Sequence, residues 1–181
     1  MDTWTYPTTW KVGDTLDADT LNARIRDQNK ILLKRPLTVM TMSADQTVPV
    51  SGSGNYVLQW DTIVNDDDGM VIEDTPMSDF YAHRAGTYQV WLNVGFNGLS
   101  AADTVMACAT VNGSARRWDN QYRMEAFSGV FFPLSTSGLI FLKVGEFIEF
   151  QAWNGSGSST VTIPGGLNNT PRAAIMWLGP T

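Results

Sequence analysis

The sequence has few of the side chains that enzymes use for nucleophilic or metal chemistry. Its 181 residues include one histidine, His83, and one cysteine, Cys108. A single cysteine excludes an internal disulfide. One histidine and one cysteine are also fewer than the three or four ligands that a zinc site needs. The sequence also lacks a Gly-x-Ser-x-Gly motif and a phosphate-binding glycine loop. We therefore expect no enzymatic activity, an ordinary surface or interface role for His83, and a buried apolar role for Cys108.

Positive charge and long apolar runs are also scarce. The chain carries 12 Lys plus Arg against 18 Asp plus Glu, which gives a net charge of -6 and a pI near 4.6. Such a chain is repelled by phosphate backbones, so we expect no nucleic-acid partner. No run approaches the roughly 18 apolar residues of a membrane span, and no signal peptide is recognisable. A soluble protein that begins at Met1 and has no membrane partner is expected.

What the sequence does have is enough apolar surface for one core. Hydrophobic residues make up 43% of the chain and aromatic residues 11%. From Leu37 onward, short β-rich runs alternate with Gly, Asn, Asp, Ser and Pro, a spacing typical of a sandwich or barrel. The sequence therefore predicts an all-β domain over residues 37–181, behind an N-terminal arm of residues 1–36.

The β-rich runs define nine predicted strands, and the absence of helices between them favours antiparallel pairing. They are Leu37–Met42, Tyr56–Ile63, Met70–Glu73, Gly86–Phe96, Thr104–Val111, Phe127–Leu134, Ser137–Leu142, Phe147–Trp153 and Ala173–Leu178. The dipeptide Asn112-Gly113 predicts a hairpin turn.

The arm combines aromatic residues with one short amphipathic helix. Apolar residues recur at helical spacing over Ala18–Leu33, Asp17 can cap the start, and Pro36 prevents continuation. This helix has one narrow apolar stripe and cannot form a core alone, so it must pack on the β domain, on its own copies or on another protein. The predicted anchoring residues of the arm are Trp4, Trp10, Leu21, Ile25 and Leu32.

Landmarks along the β domain occur in the order of a known superfamily. They are Trp60-Asp61-Thr62, Asn65-Asp66, Phe80, Gly86-Thr87-Tyr88, Val111-Asn112-Gly113, Leu139–Leu142 followed by Gly145-Glu146, and Leu178-Gly179. This series resembles the tumour necrosis factor (TNF) and complement globular-head superfamily. The resemblance implies a ten-strand TNF-like antiparallel jelly roll that forms a homotrimer. The sequence departs from that family at Glu146, where Asp is more frequent, and in the inserted stretch Ser114–Ala126.

Two strands contain the residues predicted for the trimer interface. In Thr87–Phe96, Tyr88 begins a series of alternate apolar residues that face the core, and Trp91 lies on the opposite face. The last strand is apolar on both faces, which burial at a trimer axis would explain. The predicted interface residues are Trp91, Ile175 and Trp177.

Two further segments have candidate binding residues. In the stretch Arg116–Arg123, Trp118, Asn120 and Tyr122 combine stacking and hydrogen-bonding groups. This mixture is found in sugar-binding sites and in subunit interfaces, and the sequence leaves both readings open. The acidic turn Asn65–Gly69 is expected to be solvated; if it binds calcium, Asp66 and Asp68 are the ligands. No other cofactor is expected.

The arm resembles a different group of proteins. Its matching positions are Trp10, Gly13-Asp14, Leu16, Ala18, Leu21-Asn22, Arg26-Asp27 and Leu32. They resemble the short leader found on many structural proteins of actinobacterial and other tailed phages. This resemblance implies a structural protein at the virion surface, either a capsid decoration or a minor tail or fibre protein, with capsid or tail proteins as partners. The alternatives are a tail protein that binds a host receptor or glycan, and a depolymerase, which would need two suitably spaced carboxylates.

Overall fold

The computed structural model describes eleven stretches of the chain. They are residues 18–19, 25–26, 29, 35–50, 55–72, 77–99, 103–113, 115–123, 131–155, 160–166 and 170–180, with residues 115–123 described by their backbone only. The chain divides into two compact units, Met1–Pro36 and Leu37–Thr181. In the first unit, Ala18, Asp19, Ile25, Arg26 and Asn29 are α-helical. No helix of the described residues is long and apolar enough to cross a membrane.

The second unit is built from β-strands, and twelve of them lie within the described residues. They are β1 (Leu37–Thr41), β2 (Gln46–Val48), β3 (Tyr56–Val57), β4 (Thr62–Asp66), β5 (Asp79–Tyr81), β6 (Gly86–Phe96), β7 (Thr104–Val111), β8 (Ala115–Arg123), β9 (Phe132–Leu142), β10 (Phe147–Asn154), β11 (Val161–Ile163) and β12 (Arg172–Gly179).

These strands form two five-stranded sheets and one small ribbon. The first sheet has the order β4-β1-β12-β6-β9, and the second has β3-β10-β7-β8 with β5 paired to β10. Strands β2 and β11 make the ribbon, and every pair is antiparallel. Because β1 pairs with β12, both ends of this unit meet in the first sheet.

The core between the two sheets is filled by aromatic side chains. Phe80 and Phe150 lie edge to face with ring centroids 5.3 Å apart, and Trp60 meets Phe150 in the same way at 6.1 Å. All three are fully buried. Edge-to-face contacts of this kind stabilise aromatic cores beyond the burial of their area. Phe80 reaches the core from β5, and Phe150 reaches it from β10.

The predicted hairpin and the burial of the cysteine are confirmed. Asn112 and Gly113 have φ angles of 53° and 70° and lie in the turn between β7 and β8, where Val111 pairs with Ala115. Cys108 is buried on β7. His83 is exposed, and its Nε2 donates to the carbonyl oxygen of Gly69 at 2.6 Å.

The predicted strands differ from the structure mainly where turns are short. The predicted strand Tyr56–Ile63 is two strands, β3 and β4, because a β-bridge from Trp60 to Met77 interrupts it. Where we predicted a break between Leu134 and Ser137, β9 is continuous. The strands β2, β5, β8 and β11 were missed, three of them because they span only three residues.

Candidate interaction surface

The outward face of the first sheet is formed by alternate residues of four neighbouring strands. On β6, Tyr88, Val90 and Leu92 face the core and are at most 1% exposed. The residues between them point away from the core, and Trp91 is half-buried among them. The predicted core face of β6 is therefore confirmed. We call this outward side of the first sheet the open face.

The last strand places its residues differently from the prediction. Ile175 and Trp177 are 0% and 1% exposed within one chain, because they point into the sandwich. Their neighbours Ala174 and Met176 lie on the open face and are partly exposed. The prediction that Ile175 and Trp177 contact another subunit chose the wrong face of β12, since both faces are apolar and sequence alone does not distinguish them.

The strand register aligns outward residues in rows across the open face. Gln89 lies opposite both Leu139 and Met176, and Met176 lies opposite Leu37. The next row joins Ser137, Trp91, Ala174 and Val39, and the one after it joins Ser135, Asn93, Arg172 and Thr41. The face therefore divides along the strand direction. We call Leu37, Val39, Leu139, Phe141 and Met176 the apolar half, and Thr41, Asn93, Ser135, Ser137 and Arg172 the polar half.

The apolar half is unusually accessible for its composition. Leu139 is 64% exposed and Phe141 is 47% exposed. Leu37, Val39 and Met176 are partly exposed on β1 and β12, and Gln89 of β6 lies between Met176 and Leu139. Apolar residues grouped in this way on one face of a folded chain mark an interaction site more often than a scattered apolar residue does.

The polar half contains an open pocket of about 400 Å³. Its lining residues come from three strands of the first sheet: Trp91, Leu92, Asn93, Ser135, Thr136, Ser137, Arg172 and Ala174. The Ser135 hydroxyl donates to Asn93 Oδ1 at 3.2 Å, which orients the Asn93 amide. Beyond Asn93, the ring of Phe131 covers Gly95, where a Cβ atom would lie 2.0 Å from that ring. This close approach ends the accessible part of the face.

A buried ion pair holds the loop that precedes β6. Arg84 donates from Nε and Nη2 to the two carboxylate oxygens of Asp68, at 3.1 and 2.8 Å. The guanidinium carbon of Arg84 lies 5.7 Å from the centre of the Trp177 ring. The Tyr88 hydroxyl donates to the carbonyl oxygen of Arg84 at 2.7 Å, and burial raises the pKa of Tyr88. These contacts fix the start of β6 against the end of β12.

The acidic turn after β4 has a structural role in the described geometry. Asp66 accepts hydrogen bonds from Thr38 Oγ1 at 2.6 Å and from the backbone N–H groups of Met70 and Val71 at 2.9 and 3.2 Å. Asp68 is engaged by Arg84 as described above. The carboxylate oxygens of Asp66 and Asp68 that would bind calcium therefore accept hydrogen bonds from protein donors. Across the described stretches, no three His, Cys, Asp or Glu side chains are grouped closely enough to hold a metal ion.

Several predicted site residues fall on parts of the chain that are described incompletely. The backbone of Trp118, Asn120 and Tyr122 lies in β8, opposite Ala109, Ala107 and Val105 of β7, and their side chains lie outside the described residues. Among the predicted anchoring residues, Trp4, Trp10, Leu21 and Leu32 also lie outside them. Ile25 is helical and 52% exposed.

The pocket itself was missed from the sequence. The signal that would have found it is the alternation of β9, in which Ser135, Ser137, Leu139 and Phe141 share one face. Because we divided this segment into two strands, its polar and apolar outward residues were not read as one surface. Arg172 was missed because the last strand was predicted to begin one residue later.

Comparison with known proteins shows the fold and no closer relationship. No protein-family model matches the sequence, and neither does any curated protein. The fold is similar to the globular domain of zebrafish complement 1qA protein, with a TM-score of 0.58 and 8% identity over 81% of this chain and 99% of that chain. It is also similar to murine APRIL, with a TM-score of 0.58 and 11% identity over 80% of this chain and 100% of that one. The chain thus has an all-β, TNF-like and C1q-like jelly-roll fold, as predicted.

Proposed function

We propose that this chain is a non-enzymatic structural protein of a tailed-phage virion. In this proposal the jelly roll forms a homotrimeric head at the virion surface. Residues 1–36 attach it to capsid or tail proteins, either as a capsid decoration or as a minor tail or fibre protein. The phage assignment is supported by the resemblance of the arm to tailed-phage leaders, and the trimer by the resemblance of the jelly roll to a trimeric superfamily.

The observation that carries the homotrimer is the exposed apolar half of the open face. A folded chain rarely leaves Leu139 and Phe141 this accessible beside further apolar residues unless a partner covers them. A second copy is the favoured partner because the apolar half contains no charged side chain, whereas the whole chain has a net charge of -6. Copies with the same net charge approach each other at lowest cost through an uncharged surface.

The non-enzymatic assignment is supported by the burial or hydrogen bonding of the side chains that could act in catalysis. Cys108 is buried, and His83 donates to a backbone carbonyl. The carboxylate of Glu146 accepts from the backbone N–H of Lys143 at 2.8 Å, as a turn-stabilising residue does. The alternative of host-glycan recognition through Trp118 and Tyr122 depends on side chains outside the described residues, so no observation favours that site.

The attachment role is tested with particles that lack the protein. The full chain and a chain without residues 1–36 are each mixed with these particles, and bound protein is measured by co-sedimentation. We expect the full chain to rebind and the shortened chain to stay in solution. A thermal unfolding curve of the shortened chain confirms that its head is folded. Equal rebinding by both chains would show that the arm is not the anchor.

A further inference from the structure

The apolar half of the open face consists of two separate patches. The first lies on β9 and contains Leu139 and Phe141, which are 64% and 47% exposed. The second lies on β1 and β12 and contains Leu37, Val39 and Met176, which are partly exposed. We call them the β9 patch and the β1–β12 patch. A partner that covers the whole apolar half must therefore cover two surfaces.

Strand β6 separates the two patches with polar side chains. Gln89 lies between Leu139 and Met176 in the strand register, and Thr87 lies beside Phe141 in the next row. Since β9 and β12 both pair with β6, their backbones are two strand spacings apart, about 10 Å. A polar column therefore divides the apolar half along the strand direction, and each patch can contact a different surface of a partner.

The two patches also differ in their position in the sheet. Among the described strands, β9 pairs with β6 alone, so it forms one edge of the first sheet. Strands β1 and β12 lie inside the sheet, with a paired strand on each side. The β9 patch is therefore an exposed rim, and the β1–β12 patch is a half-buried area within the face. A rim of this kind can pack on the face of another copy without obstruction by a neighbouring strand.

A ring of three identical chains needs two different surfaces on each chain. A twofold contact joins a surface to itself, whereas a ring joins one surface of each chain to another surface of the next. The β9 patch and the β1–β12 patch supply such a pair. Neither contains a charged side chain, so their contact buries no charge without a partner. The exposed Arg172 lies about 14 Å from Met176 along β12, at about 3.4 Å per residue.

We propose that the β9 patch of each copy packs on the β1–β12 patch of the next copy, and that three such contacts close the ring. In this arrangement, Leu139 and Phe141 of one copy cover Leu37, Val39 and Met176 of its neighbour. Both patches of every copy are then removed from water. This inference rests on the proposed homotrimer, and it adds which two surfaces meet and that they are different.

The test uses two variants of the full chain that each block one patch. Leu139→Asp places a charge in the β9 patch, and Met176→Asp places one in the β1–β12 patch. Each variant alone should be monomeric by light scattering, because every contact of its ring would bury an unpaired carboxylate. A mixture of the two should form a dimer with twice the 19.9 kDa of one chain, because the first variant keeps an intact β1–β12 patch and the second an intact β9 patch.

The matched control is the chain that carries both substitutions. It has no intact patch, so it should stay monomeric when it is mixed with either single variant. Thermal unfolding curves verify that each variant is folded, and Leu37→Asp blocks the same patch if Met176→Asp does not fold. A cross-linking experiment detects the contact even when a single one is weak. Co-expressed Leu139→Cys and Met176→Cys chains should be joined one to one by a short bismaleimide, and the unaltered chain, whose Cys108 is buried, should not react.

Two results would overturn this inference and leave the homotrimer standing. The first is a trimer that survives substitution of the β1–β12 patch by Met176→Asp. The second is an unaltered chain that is a trimer, together with a variant mixture that stays monomeric and cysteine variants that are not cross-linked to each other. A monomeric unaltered chain would instead contradict the proposed homotrimer, and the inference with it.

Discussion

The outward faces of the two sheets differ in how much of their side-chain surface is buried within a single chain. On the second sheet, Gln151 of β10 lies opposite Cys108 of β7, on the side away from the core residue Phe150. Four outward side chains of these two strands are nonetheless buried within one chain: Met106, Cys108, Thr110 and Gln151. On the first sheet, the equivalent side is the open face, and its Leu139 is 64% exposed.

This difference indicates where the proposed second copy would bind. Successive side chains along a strand point alternately to the inner and the outer face of the sheet, whether or not the outer face is covered. An apolar outward residue on the second sheet is already buried by other parts of the same chain. An apolar residue on the open face remains exposed to solvent in a single chain. Substitutions should therefore affect folding on the covered sides and assembly on the open face.

The largest expected effect compares adjacent residues of the last strand. Trp177→Ala should lower the free energy of unfolding by about 3–5 kcal/mol, because a fully buried aromatic side chain leaves a cavity when it is removed. Met176→Ala, on the open face, should lower it by less than about 1.5 kcal/mol when the chain is monomeric. Urea denaturation at low protein concentration measures both values. Similar losses for the two variants would contradict the assignment of Trp177 to the core and Met176 to the face.

A smaller effect compares a thiol and a hydroxyl on the two outward faces. Cys108→Ser should lower the free energy of unfolding by about 1–2 kcal/mol, because it buries a hydroxyl where Asn55 Nδ2, at 3.8 Å from the sulfur, is the neighbouring donor. The reverse change on the open face, Ser137→Cys, should alter it by less than about 0.5 kcal/mol. Denaturation under reducing conditions measures both changes. An equal loss would show that the two faces are equally covered.

The smallest expected effect is a pH dependence on the second sheet. Desolvation by burial, followed by the nearby charge of Asp79, raises the pKa of Glu149 above its usual 4.5. The folded state therefore binds a proton more tightly than the unfolded state, and this contribution makes stability fall as pH rises above about 4.5. The effect should be below about 1 kcal/mol because solvent screens this partly exposed group. Glu149→Gln should remove that slope in denaturation curves from pH 4 to 7, and an unchanged slope would contradict it.

The sequence predicted the fold class and the long strands, and it was less informative about the surface. Strand β6 was located because its apolar residues alternate over most of its length, and β7 because it is a nearly continuous apolar run of eight residues. Three-residue strands such as β2 and β11 leave no periodic signal, and tertiary pairing determines them. The faces of β12 could not be assigned, because alanine, isoleucine, methionine and tryptophan fit either side. The pocket depends on three strands meeting in one register, which no single segment encodes.

The central claim is that the apolar half of the open face joins copies of this chain. Its most direct test is the mass in solution by light scattering, for the unaltered chain, for Leu139→Asp and for Ile72→Asp. Ile72 is a matched control, because it is 53% exposed and follows Val71, which bridges to Phe80 of the second sheet. We predict three times the 19.9 kDa of one chain for the unaltered protein and for Ile72→Asp, and a single chain for Leu139→Asp. A monomeric unaltered chain, or a trimer that survives Leu139→Asp, would contradict the account.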